Sequence, residues 1–225
     1  MTQDELKRQS AELAVAAIED GMVVGLGTGS TAKIAVDILG ARVAAGLRII
    51  GVPTSEKTAT QARALGIELG ELADHPSLDL TIDGADEVHT GTLDLIKGLG
   101  GALVREKIVA AASRQMIVIV DESKLVTTLG GVRLPVEVVR FGWQATLRHL
   151  ERAGAEGVLR ATAGAPFVTD NGNHIIDCIL DLADPAAADT MLNAIPGVVM
   201  SGLFIGIATR VIAGTDQGPR ILDRT

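Results

Sequence analysis

The chain has 225 residues, of which 47% are hydrophobic and only 2% aromatic, and its formal net charge is −8. This length suits one large domain, or a domain with a smaller companion, around a core of aliphatic side chains. The acidic balance argues against nucleic acid or an anionic membrane as a partner, so a site for an anionic ligand must supply its own positive charge.

The first half of the chain alternates predicted helices with short apolar strands. A Thr-x-x-Glu capping box at Thr2 predicts a first helix, which Gly21 is expected to end. Apolar runs predict strands at 22–26, 47–52, 67–72, 78–83 and 116–120. Fully apolar strands alternating with helices are typical of a parallel sheet covered on both faces. We therefore predict a Rossmann-like α/β domain.

After about Gly131 the pattern changes to that of an antiparallel α+β fold. The predicted elements are a strand at 134–139, a helix at 143–153, a hairpin at 167–176 with an Asn-Gly turn, a helix at 185–194 and a strand at 198–203. This order favours a ferredoxin-like fold. We expect a catalytic domain of residues 1–130 plus about 206–225, and a small α+β domain of about 131–205.

Polar segments follow several of the predicted strands. They are Gly25–Thr31, Pro53–Lys57, Asp83–Asp86 and Asp121–Lys124, joined by the glycine-rich loop Lys97–Gly101. Open parallel sheets bind ligands at the carboxyl ends of their strands. This shared location predicts a ligand site, more strongly than any one segment does.

The segment Gly25–Thr31 resembles two nucleotide-binding motifs and fits neither. Ser30 stands where a dinucleotide fingerprint needs its last glycine, and the lysine of a P-loop is missing. The N-terminus of the following helix and the hydroxyls of Thr28, Ser30 and Thr31 suit a single phosphate or sugar hydroxyls. A tight turn with Ser/Thr capping is the alternative.

Charged residues in the other segments suggest proton transfer. Asp83 and Asp86 can share or pass a proton, although an Asp often only caps a turn. Lys97 beside glycines suits an oxyanion, or is a solvated loop lysine. Glu106 has apolar neighbours one helical turn away, which favours partial burial, and burial would raise its pKa toward that of a general base. The alternative is that Arg105, Glu106 and Lys107 form a solvated charged triplet. Glu87 is expected to be exposed.

Phosphate would need cations, and Lys124 and Lys7 are the candidates. The four histidines show no metal-ligand spacing, so no metal site is predicted. Cys178 lies in an apolar run and is expected to be a buried small hydrophobe. The polar N-terminus and the lack of an apolar run of about 20 residues indicate a cytoplasmic protein without a membrane span.

Taken together, the segments resemble type A ribose-5-phosphate isomerase, in order and over nearly the whole chain. The resemblance lies in Gly27–Thr31, Asp83–Glu87, Lys97–Gly100, Arg105–Lys107, Asp121–Lys124, Leu134–Val138, Val168–Asn173, Ile195–Val199 and Gly202–Phe204. The chain departs from the family pattern at Leu99, where a glycine is common, and at Val104, where a threonine is common.

The resemblance implies interconversion of D-ribose 5-phosphate and D-ribulose 5-phosphate through an enediolate, in the non-oxidative pentose phosphate pathway. It makes Glu106 the base, with Asp83, Asp86 and Lys97 assisting ring opening and enediolate stabilisation. The substrate-binding residues it implies are Lys7, Thr28, Gly29, Ser30, Thr31, Asp83, Gly84, Ala85, Asp86, Lys97, Gly98, Leu99, Gly100 and Lys124. It also implies a homodimer or homotetramer that uses no metal or organic cofactor.

Other functions stay open at this stage. The nearest rival is another enzyme of the same superfold, such as an amino-sugar-phosphate deaminase or a coenzyme A transferase. A transferase would need a glutamate nucleophile and a groove for coenzyme A. A sugar-phosphate-sensing domain would bind the ligand without turnover. A nucleotide-binding dehydrogenase is disfavoured by Ser30.

Overall fold

The computed structural model describes residues 1–224. The helices are α1 (Gln3–Ala16), α2 (Ser30–Ala44), α3 (Glu56–Ala64), α4 (Leu103–Ala111), α5 (Trp143–Arg152) and α6 (Pro185–Asn193), with a short 3₁₀ turn at Glu122–Lys124. The strands are β1 (Val23–Leu26), β2 (Ile50–Pro53), β3 (Glu68–Leu69), β4 (Leu80–Asp83), β5 (Glu87–His89), β6 (Leu95–Ile96), β7 (Met116–Asp121), β8 (Leu125–Val126), β9 (Leu134–Val138), β10 (Glu156–Leu159), β11 (Ala161–Thr162), β12 (Ala165–Pro166), β13 (His174–Ile179), β14 (Val198–Ser201), β15 (Leu203–Phe204), β16 (Arg210–Gly214) and β17 (Arg220–Asp223).

A seven-stranded sheet in the order β17-β16-β7-β4-β1-β2-β3 forms the centre of the large domain. Its strands run parallel, except β17, which pairs antiparallel with β16. The apolar strands of the middle, β4 and β7, are buried along their whole length, as expected for a sheet covered on both faces. The predicted Rossmann-like α/β fold is confirmed.

The first helix begins where the capping box predicts and ends earlier than expected. Glu5 N–H donates to the Thr2 hydroxyl at 3.3 Å, and Thr2 N–H donates to the Glu5 carboxylate at 2.7 Å. The helix ends at Ala16 rather than at Gly21. Gly21, with φ +83°, instead makes the turn into β1, where its N–H donates to the Arg48 carbonyl.

Helix α1 packs against the last parallel strand of the sheet. A Cβ atom on Gly214 of β16 would stand 1.9 Å from the carbonyl oxygen of Leu6, so the close approach of helix and strand requires glycine. The two ends of the chain therefore lie together on the large sheet.

The small domain, residues 134–201, has the ferredoxin-like order that the sequence predicts. Its antiparallel sheet runs β10-β13-β9-β14, with α5 and α6 as the connecting helices. The Asn-Gly turn forms, since Gly172 N–H donates to the Thr169 carbonyl. The predicted first strand of that hairpin is wrong, because residues 167–169 are not in a strand. The residues just before them, Ala165–Pro166, pair with Ala161–Thr162. The exact domain boundaries, 131–205 and the flanking segments, stay a prediction.

A further sheet, β15-β6-β5-β8, joins the two parts of the molecule and was missed by the sequence analysis. It includes a hairpin, Glu87–Ile96, for which the sequence analysis predicts no strands. The expectation that Glu87 is exposed is wrong: the residue is 4% exposed. Its carboxylate accepts hydrogen bonds from the backbone N–H groups of Gly130 and Val132, which offset the cost of burying it.

Aliphatic side chains fill the cores, as the composition predicts. One core lies between the sheet and the helices α1, α2 and α3, and a second fills the small domain. Cys178 is fully buried in the second core, as expected for a small hydrophobe. Within residues 1–224, no helix combines the length and the apolar character that a membrane crossing needs.

Candidate active site

A cleft of about 140 Å³ opens at the carboxyl ends of the central parallel strands. Most of the catalytic and substrate-binding residues that the resemblance implies line it: Lys7, Thr28, Gly29, Ser30, Thr31, Gly84, Ala85, Asp86, Lys97, Gly98, Gly100, Glu106 and Lys124. Two others do not. Asp83 lies beneath the cleft, and the Leu99 side chain lies outside it and is 44% exposed.

Lys97 is the centre of a buried charge cluster. Its ammonium lies 3.0 Å from Asp83 Oδ2 and 3.3 Å from Glu106 Oε1, and donates to the Gly84 carbonyl at 2.6 Å. All three charged side chains are less than 5% exposed. One cation between two carboxylates leaves an excess negative charge when both are ionised, which favours a proton on one of them.

The surroundings of this cluster shift the pKa of each member. Burial raises the pKa of Glu106 to about 8, against the opposing effect of the Lys97 charge. Burial also raises the pKa of Asp83. Burial alone would lower the pKa of Lys97, but Asp83 and Glu106 together hold it above its usual value, so the lysine stays charged. Glu106 can therefore exchange a proton near neutral pH.

Glu106 has one oxygen free for this exchange. Its Oε2 is buried and has no hydrogen-bond partner within residues 1–224, whereas Oε1 faces Lys97. The side chain comes from the first turn of α4 and is 3% exposed at the wall of the cleft. A buried carboxylate oxygen without a donor is ready to accept a proton from a ligand.

Backbone N–H groups hold one oxygen of the Asp83 carboxylate in place. Its Oδ1 accepts from Thr28 N–H at 3.0 Å and from Gly84 N–H at 2.7 Å. A Cβ atom on Gly27 would stand 2.2 Å from this oxygen, so only glycine lets β1 end so close to the carboxylate. Asp83 thereby ties the ends of β1 and β4 together and holds Lys97 from below.

Groups of positive charge outside the Lys97 cluster also line the cleft. Gly29, with φ +126°, turns the chain into α2, so the N-terminus of that helix faces the cleft beside Ser30 and Thr31. Lys7 from α1 and Lys124 from the 3₁₀ turn line the same space. Free N–H groups at a helix start together with ammonium groups form an anion site. A single phosphate fits this chemistry.

The Thr28 hydroxyl serves the protein itself. It lies 2.7 Å from the Thr54 hydroxyl, 2.8 Å from that of Ser55 and 3.1 Å from that of Thr58. Ser55 caps the start of α3. The segment Pro53–Lys57, singled out because it follows a strand, therefore supports the glycine turn from behind and does not line the cleft.

Two residues near the cleft escaped the sequence analysis. Gln3 lines it and donates to Asp121 Oδ2 at 3.3 Å. Arg160 of the small domain donates to carbonyl oxygens of the glycine loop. No local pattern could have identified either one, because tertiary contacts bring Gln3 into the cleft and Arg160 onto the loop beside it. Within residues 1–224, no three His, Cys, Asp or Glu side chains group as a metal site would require.

Comparison with known proteins identifies close relatives. The model of the family ribose 5-phosphate isomerase A (phosphoriboisomerase A) matches residues 50–218. A ribose-5-phosphate isomerase A of Gloeobacter violaceus is 58% identical, over 99% of this chain and 97% of that protein. A ribose-5-phosphate isomerase A of Synechococcus sp. is 52% identical, over 96% of this chain and 95% of that protein.

Solved structures agree over the full length. Ribose 5-phosphate isomerase A from Methanocaldococcus jannaschii superimposes with a TM-score of 0.95 at 41% identity, covering 99% of this chain and 100% of that one. A D-ribose-5-phosphate isomerase in complex with phospho-erythronic acid gives a TM-score of 0.96 at 40% identity, with 100% of both chains covered.

Proposed function

The chain belongs to the ribose 5-phosphate isomerase A family and interconverts D-ribose 5-phosphate and D-ribulose 5-phosphate, and we propose that it does so in the cleft around Lys97 and Glu106. One observation carries this proposal: a buried carboxylate oxygen of Glu106 has no partner, next to a buried ammonium group. Aldose–ketose isomerisation needs such a pair, a base for a C–H proton and a cation for the oxyanion.

We assign the proton transfer to Glu106. The carboxylate takes the C2 proton of open-chain ribose 5-phosphate, and the C–H electron pair forms the C1–C2 double bond of an enediolate. Lys97 stabilises the developing charge on the sugar oxygen. Within the enediolate the proton of the C2 hydroxyl passes to the C1 oxygen. Glu106 then returns its proton to C1, and C2 becomes the carbonyl carbon of the ketose. No atom is gained or lost, and no electron leaves the substrate.

We assign the opening of the furanose ring to Asp86 rather than to Asp83. Asp86 lines the cleft, whereas Asp83 is 0% exposed and engaged by Lys97 and two backbone N–H groups. One oxygen of Asp86 accepts from Leu99 N–H at 3.0 Å. Its carboxylate is therefore oriented yet accessible, as a group that passes a proton between sugar oxygens must be.

The direct test is ketose formation from ribose 5-phosphate, measured with and without a chelator. We expect turnover in both, because the proposed steps use only side chains of this chain. Binding of ribose 5-phosphate without turnover would contradict the proposal and support a sensing domain.

The rate should follow the ionisation of Glu106. The base is active when deprotonated, so kcat/KM should rise with pH and level off above a pKa of about 8. Below that pKa the value should fall about tenfold per pH unit; the substrate phosphate titrates lower, near pH 6. A profile measured from pH 6 to 9.5 checks this. The negative charge of Asp83 raises the pKa of Glu106, so Asp83→Asn should shift the rising part of the pH–rate profile to lower pH. A profile that does not shift in this variant would contradict the assignment of the pKa to Glu106.

Lys124→Ala should mainly weaken substrate binding. We expect KM to rise about tenfold with little change in kcat, because the phosphate contact is the same in ground state and transition state. Lys33→Ala is a matched control: this lysine, on α2, pairs with Asp37 at 3.1 Å and lies outside the cleft. An unchanged KM in Lys124→Ala would exclude the phosphate role.

We also propose that the protein works in the cytoplasm as a homodimer or homotetramer. Membership of the ribose 5-phosphate isomerase A family supports both proposals. Light scattering of the purified protein tests the assembly, and a mass equal to one chain of 23.3 kDa would contradict it. Fractionation of the source cells tests the location.

A further inference from the structure

Arg160 belongs to the small domain, yet its guanidinium contacts the glycine loop of the large domain. Nη1 donates to the carbonyl oxygens of Gly98 at 3.0 Å and Leu99 at 3.1 Å. Nε donates to Asp177 Oδ2 at 2.9 Å, and Nη2 donates to the other oxygen of that carboxylate. The Arg160 side chain is 13% exposed. The planar guanidinium is therefore held by Asp177 on one side and donates to the loop carbonyls on the other.

Phe167 supports the same arrangement from outside. Its ring lies 5.8 Å from the Arg160 guanidinium carbon, within the range of a cation–π contact. A Cβ atom on Gly101, where φ is +85°, would stand 2.5 Å from the ring. The small domain thus packs directly on the backbone of the loop, which leaves it little room to move.

The two peptide groups that Arg160 contacts are oriented by these bonds. In a planar trans peptide the N–H points opposite to the C=O. The Gly98–Leu99 group is held on both sides, by Arg160 at its carbonyl and by Asp86 at its N–H. The Leu99–Gly100 carbonyl also faces Arg160, while the N–H of Gly100 has no acceptor within residues 1–224. Gly100 lines the cleft, so this N–H is a donor available to a ligand.

We propose that Arg160 is a positioning residue for the isomerisation: from the small domain, it fixes the loop peptides so that the Gly100 N–H and Asp86 face the reacting sugar oxygens. The inference rests on the proposed function of the cleft. Donors aimed at developing charge act only when they are held in place. The Arg160–Asp177 salt bridge lies within the small domain and is a weak source of stability, but its geometry suits this task because it directs the guanidinium toward the loop.

The test is Arg160→Met, which keeps the length and apolar stem of the side chain. We expect kcat to fall about 10–100-fold, below the 10²–10³ that losing a whole oxyanion donor causes, because the donor remains but is no longer fixed. KM should change less than about threefold, since Lys124 and the start of α2 still hold the phosphate. Inhibition by phospho-erythronic acid, whose carboxylate resembles the enediolate oxygens, should weaken in step with kcat. Inhibition by inorganic phosphate should not change.

Arg133→Met is the matched control. Arg133 also donates to Asp177, at its carbonyl oxygen and 3.3 Å, but does not reach the loop. It should keep wild-type kcat. Arg160→Lys should recover only part of the rate, since one ammonium cannot bridge Asp177 and two carbonyls.

Two results would overturn the inference. One is a wild-type kcat in Arg160→Met. The other is an equal loss of affinity for phospho-erythronic acid and inorganic phosphate, which would indicate a general loss of structure. The Glu106→Gln variant tests the proposed function independently. If Glu106→Gln is inactive while Arg160→Met is fully active, only the role of Arg160 is contradicted.

Discussion

Glu106→Gln is expected to lower kcat by about 10²–10⁴, the usual contribution of a positioned base, while KM stays close to that of the wild type. The amide has nearly the same shape as the carboxyl group, and its oxygen can still accept a hydrogen bond from Lys97. What it lacks is the basic oxygen that occupies the position of Oε2. Ketose formation measured at several ribose 5-phosphate concentrations separates the two constants.

A second buried glutamate provides the control. Glu137, in β9, is also fully buried, and its Oε2 also has no partner within residues 1–224. Its Oε1 accepts hydrogen bonds from the side chains of Thr169, Asn171 and Asn173. In the glutamine variant the amide oxygen can occupy the position of Oε1 and accept the same hydrogen bonds. Glu137→Gln should therefore leave the rate within about threefold of wild type. Near-normal turnover in Glu106→Gln would reject Glu106 as the base.

Lys97→Met should affect both turnover and stability. Loss of one oxyanion-stabilising group costs about 10²–10³ in kcat. The loss here should be larger, because the pKa of Glu106 rises further without the neighbouring cation, so less base is ionised at neutral pH. Removing one partner of a buried ion pair also costs about 3–5 kcal/mol of folding free energy. Chemical denaturation and steady-state kinetics measure the two effects.

Lys107→Met is the control for this variant. The two ammonium groups both lie over the Phe204 ring, at 5.5 Å for Lys97 and 5.0 Å for Lys107. Lys107, however, donates to the Ser201 carbonyl and lies outside the cleft. We expect Lys107→Met to keep kcat within about threefold of wild type. Equal kinetic losses in both variants would show that the ring contact, and not the oxyanion role, explains Lys97.

The sequence predicts the fold class and most of the cleft because the relevant signals are local. Apolar strands and the polar residues at their ends place the Gly25–Thr31 turn and Asp83–Asp86 at one edge of a parallel sheet. The apolar neighbours of Glu106 correctly indicated burial, since helix periodicity determines which residues share a face.

The missed features depend on contacts between distant parts of the chain. Strands of two or three residues, such as β5 and β6, are too short to show a period, so the sequence does not indicate the hairpin that directly precedes Lys97. Glu87 looked exposed because its partners, Gly130 and Val132, come more than 40 residues later. Which of Asp83 and Asp86 reaches the cleft likewise depends on tertiary packing.

The contact between α1 and β16 links the part of the cleft lined by Lys7 to the order of folding. Lys7 reaches the cleft from α1, and α1 lies on the strand that contains Gly214, which the ribosome makes only after the whole small domain. Contacts between such distant segments form slowly, because a large loop must close first. An unfinished chain can therefore already contain Glu106 and Lys97 and still lack the strand that supports the helix of Lys7.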